Sequence, residues 1–548
     1  MRGKTSNFFK KNSFIEKQHI GTNSGLVNHI FLVAIFSILF FIVSITTFTQ
    51  SFNSLYSFNS AYSNPNAYNS GASVLVDSWT SHAATSYAGG SGTQEDPYLI
   101  ETEEQLALLA SSGTNSNTYF KQTKNLYLSS YSWKSMPFSG IYDGNNNCIT
   151  GLNAPLFGLL SGATIRNLKL QNVNIEAVGN AAAITTLSMN STITNVEVIS
   201  GSIIATSNNG TSVAAGHVAA VAGGLISNCK NNAYVSSQQT AGGIVGLCNS
   251  SVTSCINTGI ITAIDSVGGI AGRTTSSSCN ISYCYNTGQI IGPTAGVTTQ
   301  EGAGGILGLG VGVISHCANS GSVSGTLSGG IVGQAYASGN VSLTIEFCSN
   351  VGNIFAQWSC GGLLGAVLNN VEGDVVIDSC FVKCELIAAV QGVYLAGGLI
   401  GVCGGSLGGT TSANITISRT GVVVTALGPN AQYEFQNTTI QNFAGFVFTE
   451  SPLTIDTSYS VVYDPANPRN GEDVYAAISQ NNNYVFENTF GWMDAYVGIR
   501  FDIENWEDNY IYQVPVPAGI YSITEFLLGN GYSVSNFVNS IAGDVVIV

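Results

Sequence analysis

The chain has 548 residues, with 16 Lys and Arg against 31 Asp and Glu, and a formal charge of -15 at pH 7. Only 9% of residues are charged, where a soluble domain carries about 25%, while 64 are Gly. The acidic balance argues against a nucleic-acid partner, which needs basic stripes to meet phosphates, and the 45% apolar content argues against disorder for the bulk of the chain.

Residues 1–29 form a basic tail, with Arg2, Lys4, Lys10, Lys11 and Lys17 against the single acid Glu16. Residues 30–48 are an uninterrupted uncharged run of Phe, Ile, Leu and Val, 19 residues long, enough to cross a bilayer core of about 30 Å. The positive-inside bias predicts a single-pass signal-anchor with the N-terminus in the cytoplasm and everything after Gln50 outside. A long signal peptide, removed to leave a secreted protein, is the alternative; both export the rest of the chain. Residues 49–88 read as a polar stalk.

A cap and first coils are expected over 89–155. Thr102 followed by Gln105 fits a capping box and predicts a short helix starting there. Tyr119–Leu128 alternates like a strand, and Phe138–Leu152 reads as strand, Asp-Gly turn, strand. Repeats occupy 156–450, with Ile165, Leu168, Leu170, Val173 and Ile175 as the first inward positions.

Two phrases recur in phase. One is small-Gly-Gly-aliphatic-aliphatic-Gly. Its paired glycines are Gly242 and Gly243, Gly268 and Gly269, Gly304 and Gly305, Gly329 and Gly330, Gly361 and Gly362, and Gly397 and Gly398. The other is Cys-x-Asn-x-Gly, at Cys255, Cys284, Cys317 and Cys348, with looser copies at Cys229 and Cys380. Steps between these cysteines are 26, 29, 33, 31 and 32 residues. Each step is one coil of three strands and three corners, and the variable step means one corner absorbs loops of different length. The fold class predicted is all-β: a parallel β-helix, with a small N-terminal cap and the N-terminal membrane helix. Equivalent residues of successive coils would stack at about 4.8 Å, and about ten coils would make a rod roughly 50 Å long. The Asn files are expected to hydrogen-bond along the stack.

These phrases, with the lead-in Gly92-Thr-Gln-Glu-Asp-Pro-Tyr-Leu-Ile100 and Phe138-Ser-Gly-Ile-Tyr-Asp-Gly-Asn145, resemble the GLUG-motif repeats of secreted and surface proteins. The resemblance spans about 89–450 and implies a right-handed β-helix with an adhesin-like or surface-structural role. Some such proteins carry a zinc peptidase or a wall-sorting tail. No His-Glu-x-x-His occurs among the five His, and the final Val545-Val-Ile-Val548 does not read as a sorting signal.

Residues 451–548 read as final coils and an acidic, aromatic C-terminal cap, with aromatic groups at 490–496 and 503–512. Their aromatics either close the open end of the core or form a binding patch.

All twelve cysteines fall between 148 and 403. For Cys229, Cys255, Cys284, Cys317 and Cys348 two readings stand: a reduced inward ladder, or disulfides between neighbouring coils. A catalytic groove on a β-helix needs paired acids; Asp374 and Asp378, four apart near Lys383 and flanked by Glu372 and Glu385, would share a strand face and are the acidic pair to test. The plainer reading, solvated charges on an outer strand, is the one preferred. No Ser/His/Asp set and no metal-ligand spacing is found. The chain therefore reads as a non-enzyme with no cofactor and no metal site: a cell-surface rod acting in adhesion or as a scaffold. Its expected partners are the membrane, a host or neighbouring-cell protein or glycan, and further copies of itself. The alternative is a carbohydrate-active enzyme using a groove along the helix. Seven Asn-x-Ser/Thr sequons are present, near the number chance gives in a chain this rich in Asn, Ser and Thr.

Overall fold

The structure is a computed structural model. It describes residues 77–112, 116–207, 213–274, 279–293, 301–336, 341–367, 373–388, 395–403 and 413–427, with short strands between 444 and 547. Among these residues no helix is long and apolar enough to cross a membrane. The expected membrane segment, 30–48, lies outside them, as do the tail, most of the stalk and the aromatic group at 503–512.

The described chain is a parallel β-solenoid. Strand Tyr98–Ile100 pairs in parallel with Tyr119–Gln122, which pairs with Ile141–Asp143, which pairs with Thr164–Gln171. The stack then runs without a break to Phe490–Met493 on Tyr459–Tyr463. Gly519–Ser522 and Asp544–Ile547 form a separate antiparallel pair. The strands flanking the Asp143-Gly turn are not a hairpin. Each pairs instead with Thr164–Gln171 of the next coil, so the turn is a corner.

A middle coil has five short strands, because its corners split the three sides. Thr240–Gly242, Val245–Cys248, Ser251–Thr253, Ile256–Asn257 and Ile261–Ala263 stack on Ser266–Gly268, Ala271–Thr274, Asn280–Ser282, Tyr285–Asn286 and Ile290–Ile291. Three aliphatic files fill the interior, one from each side. They are Ile244, Ile270, Ile306, Ile331, Leu363 and Leu399; Val252, Ile281, Ile314, Ile345, Ile377 and Ile417; and Val235, Ile261, Ile290, Val323, Ile354 and Leu386. Every one is buried. Each such side chain stabilises the fold by about 1.5–3 kcal/mol relative to exposure.

The two repeated phrases answer each other across the coil. A Cβ on Gly269 would lie 2.4 Å from Cγ of Asn286 and 2.1 Å from the carbonyl oxygen of Gly305 in the next coil. Gly243 faces Asn257, Gly305 faces Asn319 and Gly330 faces Asn350 in the same way. The second glycine of each pair thus vacates the volume that the asparagine of its own coil fills. The glycine that follows the asparagine is constrained too: a Cβ on Gly288 would come 2.0 Å from the carbonyl oxygen of Gly259.

The N-terminal end is closed by helix Glu103–Ser111, whose capping box between Thr102 and Gln105 is complete. Leu106, Ala107 and Leu109 bury its inner face. Beneath it Phe120, Phe138 and Phe157 follow one another with ring centroids 6.0 and 4.7 Å apart. This covers the first rung, which would otherwise expose an apolar core and unpaired strand edges.

Candidate functional site

The asparagines form a continuous hydrogen-bonded file. Nδ2 of Asn231 donates to Oδ1 of Asn257 at 2.8 Å, Asn257 to Asn286 at 2.7 Å, Asn286 to Asn319 at 2.7 Å and Asn319 to Asn350 at 2.8 Å. Each amide also closes a local ring. In Asn286, Nδ2 donates to the Gly288 carbonyl and Oδ1 accepts from the Gly288 amide. All five side chains are buried with their hydrogen bonds made, as buried amides require. The file stops at Val382, which stands opposite Asn350 in register.

The phased cysteines run alongside. The Cys255 amide donates to Sγ of Cys284 at 3.5 Å, the Cys284 amide to Cys317 at 3.4 Å and the Cys317 amide to Cys348 at 3.4 Å. Each thiol turns back to the carbonyl two residues earlier, as Cys317 does to Ser315 at 3.3 Å. At Cys380 the partner on the next coil is Thr420, whose Oγ1 takes the amide hydrogen bond. Cys229 is buried in the same file. Burial pushes the Cys255, Cys284, Cys317 and Cys348 thiols well above their ordinary value. They are therefore protonated, shielded groups without nucleophilic character.

The residue before each of these cysteines sits in the left-handed region: Ser254, Tyr283, His316, Phe347 and Ser379 have φ between 51° and 55°. On three successive coils this strained corner carries a ring. His316 stacks between Tyr283 and Phe347 at 4.6 and 4.9 Å. The stack returns part of the cost of holding bulky residues at positive φ.

Asp374 and Asp378 do not converge. Asp378 ends strand Val375–Asp378 and takes hydrogen bonds from Nε and Nη2 of Arg419 and from Oγ of Ser418 on the next coil. Burial raises its carboxyl, but the Arg419 and Ser418 hydrogen bonds outweigh that and leave it below its ordinary value. Asp374 accepts from Asn414 at 3.1 Å. Glu385 is held by Asn353 at 2.8 Å, and Glu372 lies outside the described residues. Each described carboxylate of this group thus has its own partner on a neighbouring coil.

The described histidines are far apart in role. His82 bonds Asp77 at 2.8 Å and stacks on Tyr131 at 4.0 Å. His316 belongs to the ring stack. His217 is fully buried with neither ring nitrogen hydrogen-bonded, and burial lowers its pKa to about 3. It follows Gly216, which pairs with Gly242, and so stands where later coils have the second glycine. A zinc site needs about four ligands at one point. Among the described residues no three His, Cys, Asp or Glu gather to hold a metal.

A model of the "M26 IgA1-specific Metallo-endopeptidase N-terminal region" matches residues 106–200. That is 95 of 548 residues, from within the capping helix through the first coils. One solved structure similar to this chain is described as a "putative immunoglobulin A1 protease from Bacteroides ovatus". It is 16% identical, covers 66% of this chain and 87% of its own, and superposes with a TM-score of 0.27. No curated protein matches. The expectation of a chain without any enzymatic association is overturned by the family match. That expectation rested on searching for clustered donors, whereas the matched segment consists of the capping helix and the first coils. The comparisons bring out this peptidase family and show no GLUG repeat, while the β-solenoid of this chain is consistent with the coil architecture expected from its repeats.

Proposed function

We propose that this chain is the β-helical recognition part of a peptidase-type protein exported to the cell surface, and that its rod engages a protein target. The single observation that carries the reading is the match over 106–200 to the N-terminal region of a metallo-endopeptidase family. The rod supplies a rigid, weakly charged flank, on which contact is made by stacking and backbone-directed hydrogen bonding. The right-handed, GLUG-like coil and the membrane anchor at 30–48 belong to this reading, as does a C-terminal region outside the cell. Immunoglobulin A1 enters as the first candidate target because the matched family bears its name. The described residues do not fit a catalytic zinc, so no cleavage step is assigned to them.

The test uses the full chain in detergent or as the secreted product. Binding to immunoglobulin A1, to immunoglobulin G and to bare glycans is measured by surface plasmon resonance. Cleavage is followed by electrophoresis with added zinc and with chelator. Saturable binding to the immunoglobulin A1 protein, with or without cleavage, supports the proposal. Binding only to glycans supports an adhesin in place of a peptidase arm, and no binding to any of the three refutes both.

A further inference from the structure

One cysteine pair stands apart from the ladder. Sγ of Cys248 lies 2.9 Å from Sγ of Cys279, and both residues are buried. Non-bonded carbon atoms rest at about 3.5–4.0 Å, and sulfur is larger. Two thiols held at 2.9 Å are pressed inside that limit, and closing to a bond length of about 2.05 Å takes less than an ångström of movement. We infer that Cys248 and Cys279 are joined by a disulfide that clasps one coil to the next.

The neighbourhood supports this. Cys248 ends strand Val245–Cys248, and Cys279 immediately precedes Asn280–Ser282 on the following coil. The two strands that bracket this corner are fixed by register, Cys248 opposite Thr274 and Ser251 opposite Asn280. The same corner is tied onward by Thr274, whose Oγ1 donates to the Val311 carbonyl at 2.7 Å and accepts from the Val311 amide at 2.9 Å. A side-chain clasp thus spans each of two successive steps. In the folded rod the hydrogen bond from Cys279 holds the Cys248 thiol below its ordinary value, as the close approach of the two sulfurs implies. The ladder cysteines differ: their sulfurs accept backbone amide hydrogen bonds and carry raised pKa values, while the Cys248 thiol shares with them only a carbonyl acceptor, Ser250 at 3.4 Å.

The oxidant is an external disulfide R–S–S–R, either small (oxidised glutathione) or borne by a thiol oxidoreductase. Cys248 gives up its proton, its sulfur attacks one sulfur of R–S–S–R, and R–S⁻ leaves. Cys279 gives up its proton, and its sulfur displaces the second R–S⁻. One S–S bond forms and one breaks, the two cysteine sulfurs are oxidised, and the two protons end on two R–SH. Because both cysteines are buried, the exchange takes place while the coils are still closing. The finished bond is then shielded from small thiols until the rod opens.

The test is a thiol map of the full chain equilibrated in a glutathione redox buffer during folding. The protein is denatured without reductant, alkylated, digested, and its peptides sequenced by fragmentation. The expected result is a Cys248–Cys279 link two hydrogens lighter than the dithiol. Alkylation at these two positions drops to a small fraction of that at Cys148 and Cys403, and is restored by reduction after unfolding. In Cys248→Ser, Cys279 becomes alkylated like Cys403. Full alkylation of both cysteines in the unreduced wild type overturns the inference, as does either cysteine linked to a ladder residue such as Cys284.

Discussion

Replacing Asn286 by Ala tests whether the asparagine file holds the rod together. Asn286 makes four hydrogen bonds: Nδ2 to the Gly288 carbonyl at 3.0 Å and to Asn319 at 2.7 Å, and Oδ1 from the Gly288 amide at 3.2 Å and from Asn257 at 2.7 Å. Ala removes all four and leaves the Gly288 amide and carbonyl without their side-chain partner in a dry interior. At about 1 kcal/mol net for each bond the loss is about 4 kcal/mol. Asn350, at the end of the file, makes three such bonds, and its side chain meets the Cys384 thiol, a weak partner, where Asn286 meets a further amide. Asn350→Ala should therefore cost about 3 kcal/mol on the same scale. Thr287 faces solvent with one long 3.5 Å contact, and Thr287→Ala serves as the control at under about 0.5 kcal/mol. Guanidinium unfolding followed by circular dichroism gives the ordering. Hydrogen exchange at Gly288 gives the local loss, which is needed because a stacked rod does not unfold as one unit. The reasoning fails if Asn286→Ala matches Thr287→Ala in midpoint, or if the Gly288 amide keeps its protection.

Three further outcomes follow from the same geometry. Gly269→Ala puts a Cβ 2.1 Å from the Gly305 oxygen and 2.4 Å from Asn286, so it should destabilise by more than the ~1 kcal/mol of an ordinary point change, read in the same melts. His217 is neutral when folded and takes a proton near its ordinary value of about 6.5 when unfolded, so acid favours the unfolded chain. Stability should be full above about pH 6.5 and fall by about 1.4 kcal/mol per unit as pH drops toward 3; His217→Gln should flatten the slope between pH 7 and 5, above the carboxylate range. The Asp378 carboxyl, held low in the folded state, contributes above its ordinary value of about 3.9 and loses that contribution as pH falls. With Arg419 half exposed, Arg419→Ala should cost under about 1 kcal/mol at pH 7 and less at pH 3, measured by thermal melts.

The solenoid was legible because its rules are local and repeated. Alternation placed Ile165, Leu168, Leu170, Val173 and Ile175 inside, and all five are buried. Thr102 and Gln105 announced their helix through a capping box that needs no tertiary context. Spacing alone did not reveal that the paired glycines exist to admit the asparagines, because Gly269 and Asn286 lie on different sides of the coil and meet only across its interior. The Cys248–Cys279 contact was hidden for a related reason. Phasing singles out cysteines at equal positions in successive coils, whereas these two occupy different positions around one corner. Asp378 ends its strand and Asp374 lies just before it, but partners one coil away decide what a carboxylate does, and Arg419 and Asn414 are about forty residues distant. The enzymatic association had no residue signature at all. It rests on the likeness of a scaffold segment.

The asparagine file has a direction. Each amide from Asn231 to Asn319 hands a hydrogen forward to its successor, and each from Asn257 to Asn350 receives one from its predecessor. Interior rungs are interchangeable in that respect, so excising or duplicating one whole turn rejoins identical donors to identical acceptors. Within this file, a whole turn can be added or lost with the run of side-chain amides still joined at the seam.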